Sequence, residues 1–302
     1  MSAGTIGMLS TLGSVSGTFA AGFVLIPLVD LGLLFFIVAA LQAALAAAGY
    51  ILFVSRAGTK TAAVAAACAL AVIVPGLTYG YVEETPPGTL FQDITFYHRI
   101  RVRERPVRGD QVRHLYLDTT VEGAQFVRSR ALPVVYQRYW EIARLYNEPV
   151  GTALFIGGGA FGMPEAVSDA YPDAAVDVVE IDPEVIEVGR RYFRLDQYPG
   201  IRTFAQDARR YLAHTDATYD FIFGDAYNGI RAIPPHLVTK EFFTLVERRL
   251  NPGGVFIMNA ISGVEGKYAA LFQSLYLTLG EIFEHVTVYP LDFSGRRTCR
   301  TS

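Results

Sequence analysis

The sequence predicts an α/β protein: a doubly wound parallel sheet, preceded by a small β segment and an N-terminal transmembrane helical region. Three observations lead to this fold class. Long uncharged segments fill most of the first 80 residues, a stretch near residue 100 alternates with a period of two, and apolar strands alternate with helices from Gly151 onwards. The 302 residues therefore divide into about three transmembrane helices over 1–80, a linker and β segment over 81–145, and an α/β domain over 146–302.

The first 80 residues contain three uncharged segments. They cover 7–29, 31–54 and roughly 61–77. The second has Gln42 as its only strongly polar side chain, and about 20 apolar residues are enough to cross a bilayer. Small residues at four-residue spacing, such as Gly13 and Gly17, let membrane helices pack closely. The third segment is compatible with a tilted span or a buried helix. No Lys or Arg precedes the first segment, which disfavours a cleaved signal peptide.

A linker and a small antiparallel sheet are expected next. YVEETPPGTL is interrupted by Pro86, Pro87 and Gly88, which no helix accommodates together. FYHRIRVRER then alternates strictly between arginines and the set His98, Ile100 and Val102, a pattern typical of a strand. HLYLD at 114–118 is a second predicted strand.

The arginine row of the first strand raises the question of a partner. Phosphate groups of nucleic acids are bound by Arg and Lys. However, the formal net charge is -3, and aromatic residues do not interleave the row as single-stranded nucleic acids would require. We therefore expect no nucleic-acid partner and interpret the row as a solvated strand face, with anionic membrane lipid as the alternative.

The remainder of the chain predicts a parallel sheet buried on both faces, because continuous apolar strands alternate with helices. The predicted strands are TALFI, AVDVVEI, IRTFAQD, YDFIFGD and VFIMNAI. The predicted helices between them cover 165–170, 183–192, 209–214 and 236–250. Ligands of doubly wound sheets bind at the carboxyl ends of the strands, so polar residues at those ends are site candidates.

A glycine cluster, GGGAFG, follows the first strand of this sheet. Gly157, Gly159 and Gly162 have the G-x-G-x-x-G spacing, which lets the backbone approach a ligand beside the N-terminus of a helix. Many nucleotide-binding proteins share this spacing. The cluster therefore indicates a nucleotide without identifying it.

Acidic residues follow the next three strands. Glu180 lies 23 residues after Gly157, where a carboxylate accepts hydrogen bonds from ribose hydroxyls, and Asp182 is close behind it. Asp207 and Asp225 end the third and fourth strands. Each alone is explained as a helix cap or turn residue. An NAD site needs no further acidic residue after the second strand. Adenosine recognition in a Rossmann-like, methyltransferase-type domain also uses a carboxylate after the third strand and a site residue after the fourth.

The succession FIGGGAFGMPEAV, VDVVEIDPEVIEVGRRYF, FAQDARRYL, YDFIFGDAYNG, IPPHLVTKEFF and LNPGGVF resembles the spermidine synthase (polyamine aminopropyltransferase) family. The similarity covers roughly residues 90–290 and is greatest to the membrane-embedded, transporter-fused branch. It implies transfer of an aminopropyl group from decarboxylated S-adenosylmethionine to a small-molecule amine such as putrescine, without a metal. A homodimer is left open.

The resemblance also implies roles for individual residues. The nucleotide-binding residues would be Gly157, Gly158, Gly159, Glu180, Asp182, Asp207 and Ala208. The catalytic residues would be Asp225, Tyr227 and Tyr136, and the substrate-binding residues Gln125 and Asn228. A carboxylate with a pKa of about 4 is a poor base for an amine with a pKa of about 10. Asp225 is therefore expected to orient the amine and stabilise its developing positive charge, while the proton leaves through water.

Three positions depart from the family pattern. Ala160 stands where polyamine-forming members have an Asp that pairs with the donor amine, Asn228 stands where a second Asp is usual, and Gln137 replaces a common His after Tyr136. These changes weaken the recognition of a dicationic amine. Two alternatives therefore stay open: a methyltransferase that uses S-adenosylmethionine itself, and a non-catalytic nucleotide-sensing membrane protein.

We expect a multi-pass protein of the cell inner membrane with a cytoplasmic globular domain, because both donor nucleotides are made in the cytosol. The charges conflict with this orientation. Arg56 and Lys60 lie between the second and third segments, and the positive-inside tendency would place that loop in the cytoplasm and the globular domain outside.

The cysteines and histidines suggest no metal site. Cys68 and Cys299 indicate neither a disulfide framework nor a metal centre. The five histidines lack metal-ligand spacing and are expected to be capping or surface residues, with His236 the one placed to reach the pocket.

Overall fold

A computed structural model describes most of the chain. The described ranges are 3–26, 29, 31–53, 67, 69–70, 73–74, 85–107, 109–146, 148–227 and 233–290. The chain divides into two compact units, Met1–Pro86 and Pro87–Ser302. The break falls inside the predicted linker, and the finer three-part division stays a prediction. Most of the third apolar segment and both cysteines lie outside the described residues.

The N-terminal unit contains two long apolar helices, α1 (Ala3–Ala20), which continues as a π-helical turn over Ala21–Leu25, and α2 (Leu31–Phe53). Within the described ranges, Gly7–Leu25 is the one stretch long and apolar enough to be a membrane span or a signal sequence, and Gly32–Ala46 is a shorter apolar helix. The hydroxyl of Thr18 bonds the carbonyl oxygen of Ser14 at 2.9 Å. This bond satisfies the hydroxyl within the helix itself.

The second unit begins with a four-stranded antiparallel sheet, which confirms the two strands predicted near residue 100. Its strands are β1 (Thr89–Ile94), β2 (Arg99–Val107), β3 (Asp110–Leu117) and β4 (Thr120–Phe126), in that spatial order. Ile100 and Val102 on β2 are fully buried, as the alternating pattern requires. The β3–β4 pairing has one irregularity: Leu115 pairs with Gly123 and Tyr116 with Val121, so that Glu122 is an extra residue in a β-bulge.

A five-stranded parallel sheet follows. Its strands are β5 (Thr152–Ile156), β6 (Ala175–Glu180), β7 (Ile201–Ala205), β8 (Tyr219–Gly224) and β9 (Leu250–Met258). The helices of this part are α3 (Gly162–Ala170), α4 (Pro183–Tyr192), α5 (Ala208–His214), α6 (Lys240–Arg248) and α7 (Ala270–Gly280). Short 3-10 segments cover Val135–Leu145, Leu195–Gln197, Pro235–Leu237 and Gly266–Tyr268. The sequence-based prediction of a parallel α/β sheet is therefore confirmed.

The helix predicted over 236–250 is wrong at both ends. The side chain of Thr239 accepts a hydrogen bond from the backbone N–H of Phe242 at 3.2 Å and so caps the start of α6. At the other end, Leu250 pairs with Tyr219 and begins β9. The cap and the strand pairing leave nine residues, Lys240–Arg248, for the helix.

The strand order of the parallel sheet is β7-β6-β5-β8-β9, so the order along the chain reverses beside β5. The loops after β5 and β8 leave the sheet together at this switch point. The backbone N–H of Gly157 bonds the carbonyl of Val179, and that of Asp225 bonds the carbonyl of Ile156, both at 2.9 Å. Ligands of such sheets bind in the crevice that this reversal opens.

Candidate active site

A cavity of about 830 Å³, including its open mouth, lies at the switch point. The loops after β5, β6, β7 and β8 form most of its wall, and β4 contributes Glu122. Its polar lining includes Glu122, Tyr136, Glu180, Asp207, Asp225 and Tyr227. Five of these six residues were predicted from the sequence, and the sixth, Glu122, was not.

The glycine loop lines the cavity as predicted, and two of its residues must be glycine. Gly157 has φ +98°, and a β-carbon there would lie 2.7 Å from the carbonyl oxygen of Asp225. Gly159 has φ +48°, and its β-carbon would lie 2.7 Å from the carbonyl oxygen of Glu122. The loop is therefore wedged between the end of β8 and the bulge of β4.

Gln125, predicted to bind substrate, supports the glycine loop from behind instead. It is buried, and its amide nitrogen donates to the carbonyl of Ala160 and to the carboxylate of Glu165, both at 2.7 Å. Gln125 does not line the cavity. It can influence a substrate only through the loop, because the side chain is buried away from the cavity.

Glu180 joins the loops after β5 and β6. Its two carboxylate oxygens accept hydrogen bonds from the backbone N–H groups of Gly158, at 2.9 Å, and Asp182, at 3.1 Å. Burial raises the pKa of Glu180, and these two hydrogen bonds partly offset the rise. Each oxygen keeps a second lone pair that can accept a hydroxyl hydrogen, such as that of a ribose.

Asp182 does not line the cavity, contrary to the expectation that it binds the nucleotide. It is fully buried, caps α4 by accepting from the backbone N–H of Glu184 at 3.0 Å, and accepts a second hydrogen bond from the hydroxyl of Thr95. Its role in the structure is to fix the start of α4 against the β1–β2 turn.

Asp207 and Ala208 both line the cavity, as predicted. One oxygen of Asp207 caps α5 through the backbone N–H of Arg210 at 2.9 Å, and the other lies 2.7 Å from Nε2 of His236. His236 thus reaches the pocket as expected. His98 lines the cavity too, so its assignment as a capping or surface residue was wrong.

Asp225 lies partly buried in the wall of the cavity. The amide of Asn259 donates to its Oδ1 at 2.8 Å. Burial raises the pKa of Asp225 to about 6, although Asn259 and the phenol of Tyr136 lower it. At pH 7 and above, Asp225 is therefore predominantly a carboxylate.

The two predicted tyrosines serve different partners. Burial, followed by the negative charge of Asp225, raises the pKa of the Tyr136 phenol, so this side chain stays neutral. Tyr227 donates to the carbonyl of Asn259 at 2.8 Å and accepts from the N–H of Ile261 at 2.9 Å. It positions Asn259, which in turn holds Asp225. Asn228 lies outside the described residues.

Glu122 is the acid that the sequence analysis missed. Burial, followed by the charges of Asp225 and Glu180, raises its pKa to about 7. One signal was available in the sequence: Gly123 lies in the middle of β4, and a glycine inside a strand often marks a bulge. A bulge breaks the alternation on which the strand analysis depended.

Comparison with known proteins agrees with this architecture. Residues 143–290 match the family described as the spermine/spermidine synthase domain. A polyamine aminopropyltransferase of Vibrio vulnificus is 36% identical over 130 residues, which cover 42% of this chain and 43% of that protein. The eEF1A lysine and N-terminal methyltransferase of Homo sapiens is 31% identical over 119 residues, covering 36% of this chain and 17% of that protein. This chain thus spans less than half the length of either relative.

Among solved structures, a probable spermidine synthase from Corynebacterium glutamicum is similar in fold. The TM-score is 0.55 at 25% sequence identity, and the superposition covers 67% of this chain and 72% of that chain. The similarity therefore extends beyond the matched domain into neighbouring parts of the chain.

Proposed function

Residues 143–290 belong to the spermine/spermidine synthase domain family, and from this premise we propose that the chain is an aminopropyltransferase. It moves the aminopropyl group of decarboxylated S-adenosylmethionine to a polyamine acceptor such as putrescine. One observation carries the proposal: the glycine loop, Glu180 and the carboxylates of Asp207 and Asp225 line a single cavity at the switch point of the sheet.

The cavity has an adenosine side and an amine side in this proposal. Glu180 accepts hydrogen bonds from the ribose hydroxyls. Asp207 and Ala208 contact the adenine, and the glycine loop lies beside the sulfonium group. Asp225 lies beside the attacking amine. A cavity with several carboxylates favours a cationic donor and disfavours the additional carboxylate of S-adenosylmethionine.

The reaction is a displacement at carbon. The lone pair of the acceptor amine attacks the methylene carbon attached to the sulfonium, the C–S bond breaks, and its electron pair passes to sulfur, which leaves as a neutral thioether, 5′-methylthioadenosine. The new secondary ammonium group then loses a proton to water. Asp225 orients the amine and stabilises the positive charge that grows on nitrogen, while the neutral phenol of Tyr136 favours the charged form of Asp225.

A methyltransferase is the second candidate, because Ala160 leaves the glycine loop without a charge. In that case the same cavity would hold S-adenosylmethionine, and the acceptor would attack its methyl carbon. A non-catalytic nucleotide sensor would bind a nucleotide in this cavity without transferring any group.

Isothermal titration with the two donor nucleotides tests the proposal. We expect decarboxylated S-adenosylmethionine to bind at least about tenfold more tightly than S-adenosylmethionine, since one unfavourable charge contact is worth about 1.4 kcal/mol or more. Mass spectrometry of a mixture with putrescine should then detect spermidine. Preference for S-adenosylmethionine would support the methyltransferase, and binding without any transfer would support the sensor.

We also propose that the N-terminal helices make this a multi-pass protein of the cell inner membrane, with the globular unit in the cytoplasm. The apolar stretch Gly7–Leu25 supports membrane attachment, and the cytosolic origin of the donor supports this orientation. The full chain should resist extraction by alkaline carbonate, and protease added to right-side-out vesicles should leave the globular unit intact. Cleavage near Pro86 without lysis would place that unit outside.

A further inference from the structure

Glu122 stands apart from the other acids of the cavity because its carboxylate is uncommitted. The carboxylates of Glu180, Asp207 and Asp225 each accept hydrogen bonds from named donors. Among the described residues, no donor or cation contacts the carboxylate of Glu122, although the side chain lines the cavity. A half-buried carboxylate without a partner is costly unless a ligand completes it.

The β-bulge brings Glu122 to the glycine loop. Its carbonyl oxygen lies 2.7 Å from the position of a β-carbon on Gly159, and a β-carbon on Gly123 would lie 2.6 Å from the backbone nitrogen of Ala160. The bulge therefore holds the backbone of β4 tightly against this loop. Glu122 and Ala160 both line the cavity, so the acid shares it with the position where Ala160 supplies no charge.

The surroundings of Glu122 favour a cation. The carboxylates of Asp225 and Glu180 have the largest electrostatic effect on Glu122, and both are negative. No Lys or Arg side chain lines the cavity within the described ranges. A substrate ammonium group placed among these acids would remove their mutual repulsion and supply the partner that Glu122 lacks.

We propose that Glu122 determines donor specificity by forming an ion pair with the primary ammonium group of the donor's aminopropyl chain. This inference rests on the proposed function, since it requires the nucleoside in the same cavity with its sulfur beside the glycine loop. Glu122 then supplies the negative charge that Ala160 lacks. A donor that also carries a carboxylate on that chain is repelled by the same side chain.

Three thioether ligands, in which the sulfur atom is uncharged, test this inference separately from the proposed function. 5′-Methylthioadenosine has no ammonium group, decarboxylated S-adenosylhomocysteine has one, and S-adenosylhomocysteine has an ammonium group and a carboxylate. None carries a sulfonium charge, so differences in affinity among them report only on the chain attached to the sulfur atom of the ligand. Each is titrated at pH 8.5 into the wild-type full chain and into Glu122→Gln.

We expect Glu122→Gln to lower the affinity for decarboxylated S-adenosylhomocysteine about tenfold or more. The affinity for 5′-methylthioadenosine should stay within about twofold of the wild type, and the affinity for S-adenosylhomocysteine should rise. Glu284→Gln is the matched control, since that side chain is 90% exposed, and it should change none of the three. Equal losses for the first two ligands would overturn the role of Glu122. Failure of the wild type to bind 5′-methylthioadenosine would instead reject the proposed function, and normal binding of it by Glu122→Gln shows that the variant is folded.

Discussion

Asp225→Asn is expected to lower the kcat/KM of aminopropyl transfer about 1000-fold while leaving nucleoside binding in place. The substitution removes the negative charge that orients the amine, and it puts an amide N–H₂ group where an ammonium group must approach. The remaining amide oxygen can still accept from Asn259, which donates to Oδ1 at 2.8 Å in the wild type. The fold of the loop should therefore survive.

Initial rates with decarboxylated S-adenosylmethionine and putrescine measure this effect, and titration with 5′-methylthioadenosine measures the binding that should persist. Asp196→Asn makes the same chemical change at a side chain that is 66% exposed, and it should leave the rate within about twofold. A rate for Asp225→Asn within about threefold of the wild type would remove Asp225 from the reaction.

Gly157→Ala is expected to abolish nucleoside binding, with a loss of affinity of at least about 100-fold. A side chain at φ +98° is strained, and its β-carbon would lie 2.7 Å from the carbonyl oxygen of Asp225. That oxygen belongs to the backbone and cannot rotate away. The loop after β5 and the loop after β8 must therefore separate, which displaces both the nucleoside and the carboxylate that faces the amine.

The affinity for 5′-methylthioadenosine and the thermal unfolding midpoint together measure the effect of Gly157→Ala. We expect a destabilisation of about 1–3 kcal/mol in addition to the lost binding. Gly200→Ala is the control, because a β-carbon at Gly200 meets no atom within 4 Å. If Gly157→Ala bound the nucleoside like the wild type, the loop would not form the wall of the nucleoside site.

The sequence predicted the parallel sheet because each of its strands is an apolar run bounded by turn residues. The carboxyl ends of those strands then gave the positions of the glycine loop, Glu180, Asp207 and Asp225. Each of these residues follows its own strand, so local pattern was sufficient. Their convergence required only the strand order of a doubly wound sheet.

Local pattern was insufficient where a side chain's role depends on distant partners. Gln125 and Asp182 are polar residues near the right strands, yet Ala160 with Glu165 and Thr95 with Glu184 occupy their hydrogen-bonding groups. Ala160, Glu165 and Thr95 are 35 to 87 residues away in the chain, whereas the cap of Asp182 on Glu184 is a local pattern. Polar residues at a strand end are therefore ambiguous between a ligand contact and a cap until the structure assigns their partners.

The bulge at Glu122 means that the length of β4 matters as much as its residue types. Deleting Glu122 would let β3 and β4 pair without interruption. Neighbouring side chains of β4 would then again alternate between the two faces of the sheet. Relatives that lack the extra residue then carry no counterpart of Glu122, even where an ungapped alignment pairs an acid with it. An alignment that opens a gap at this position identifies which members of the family share the acid.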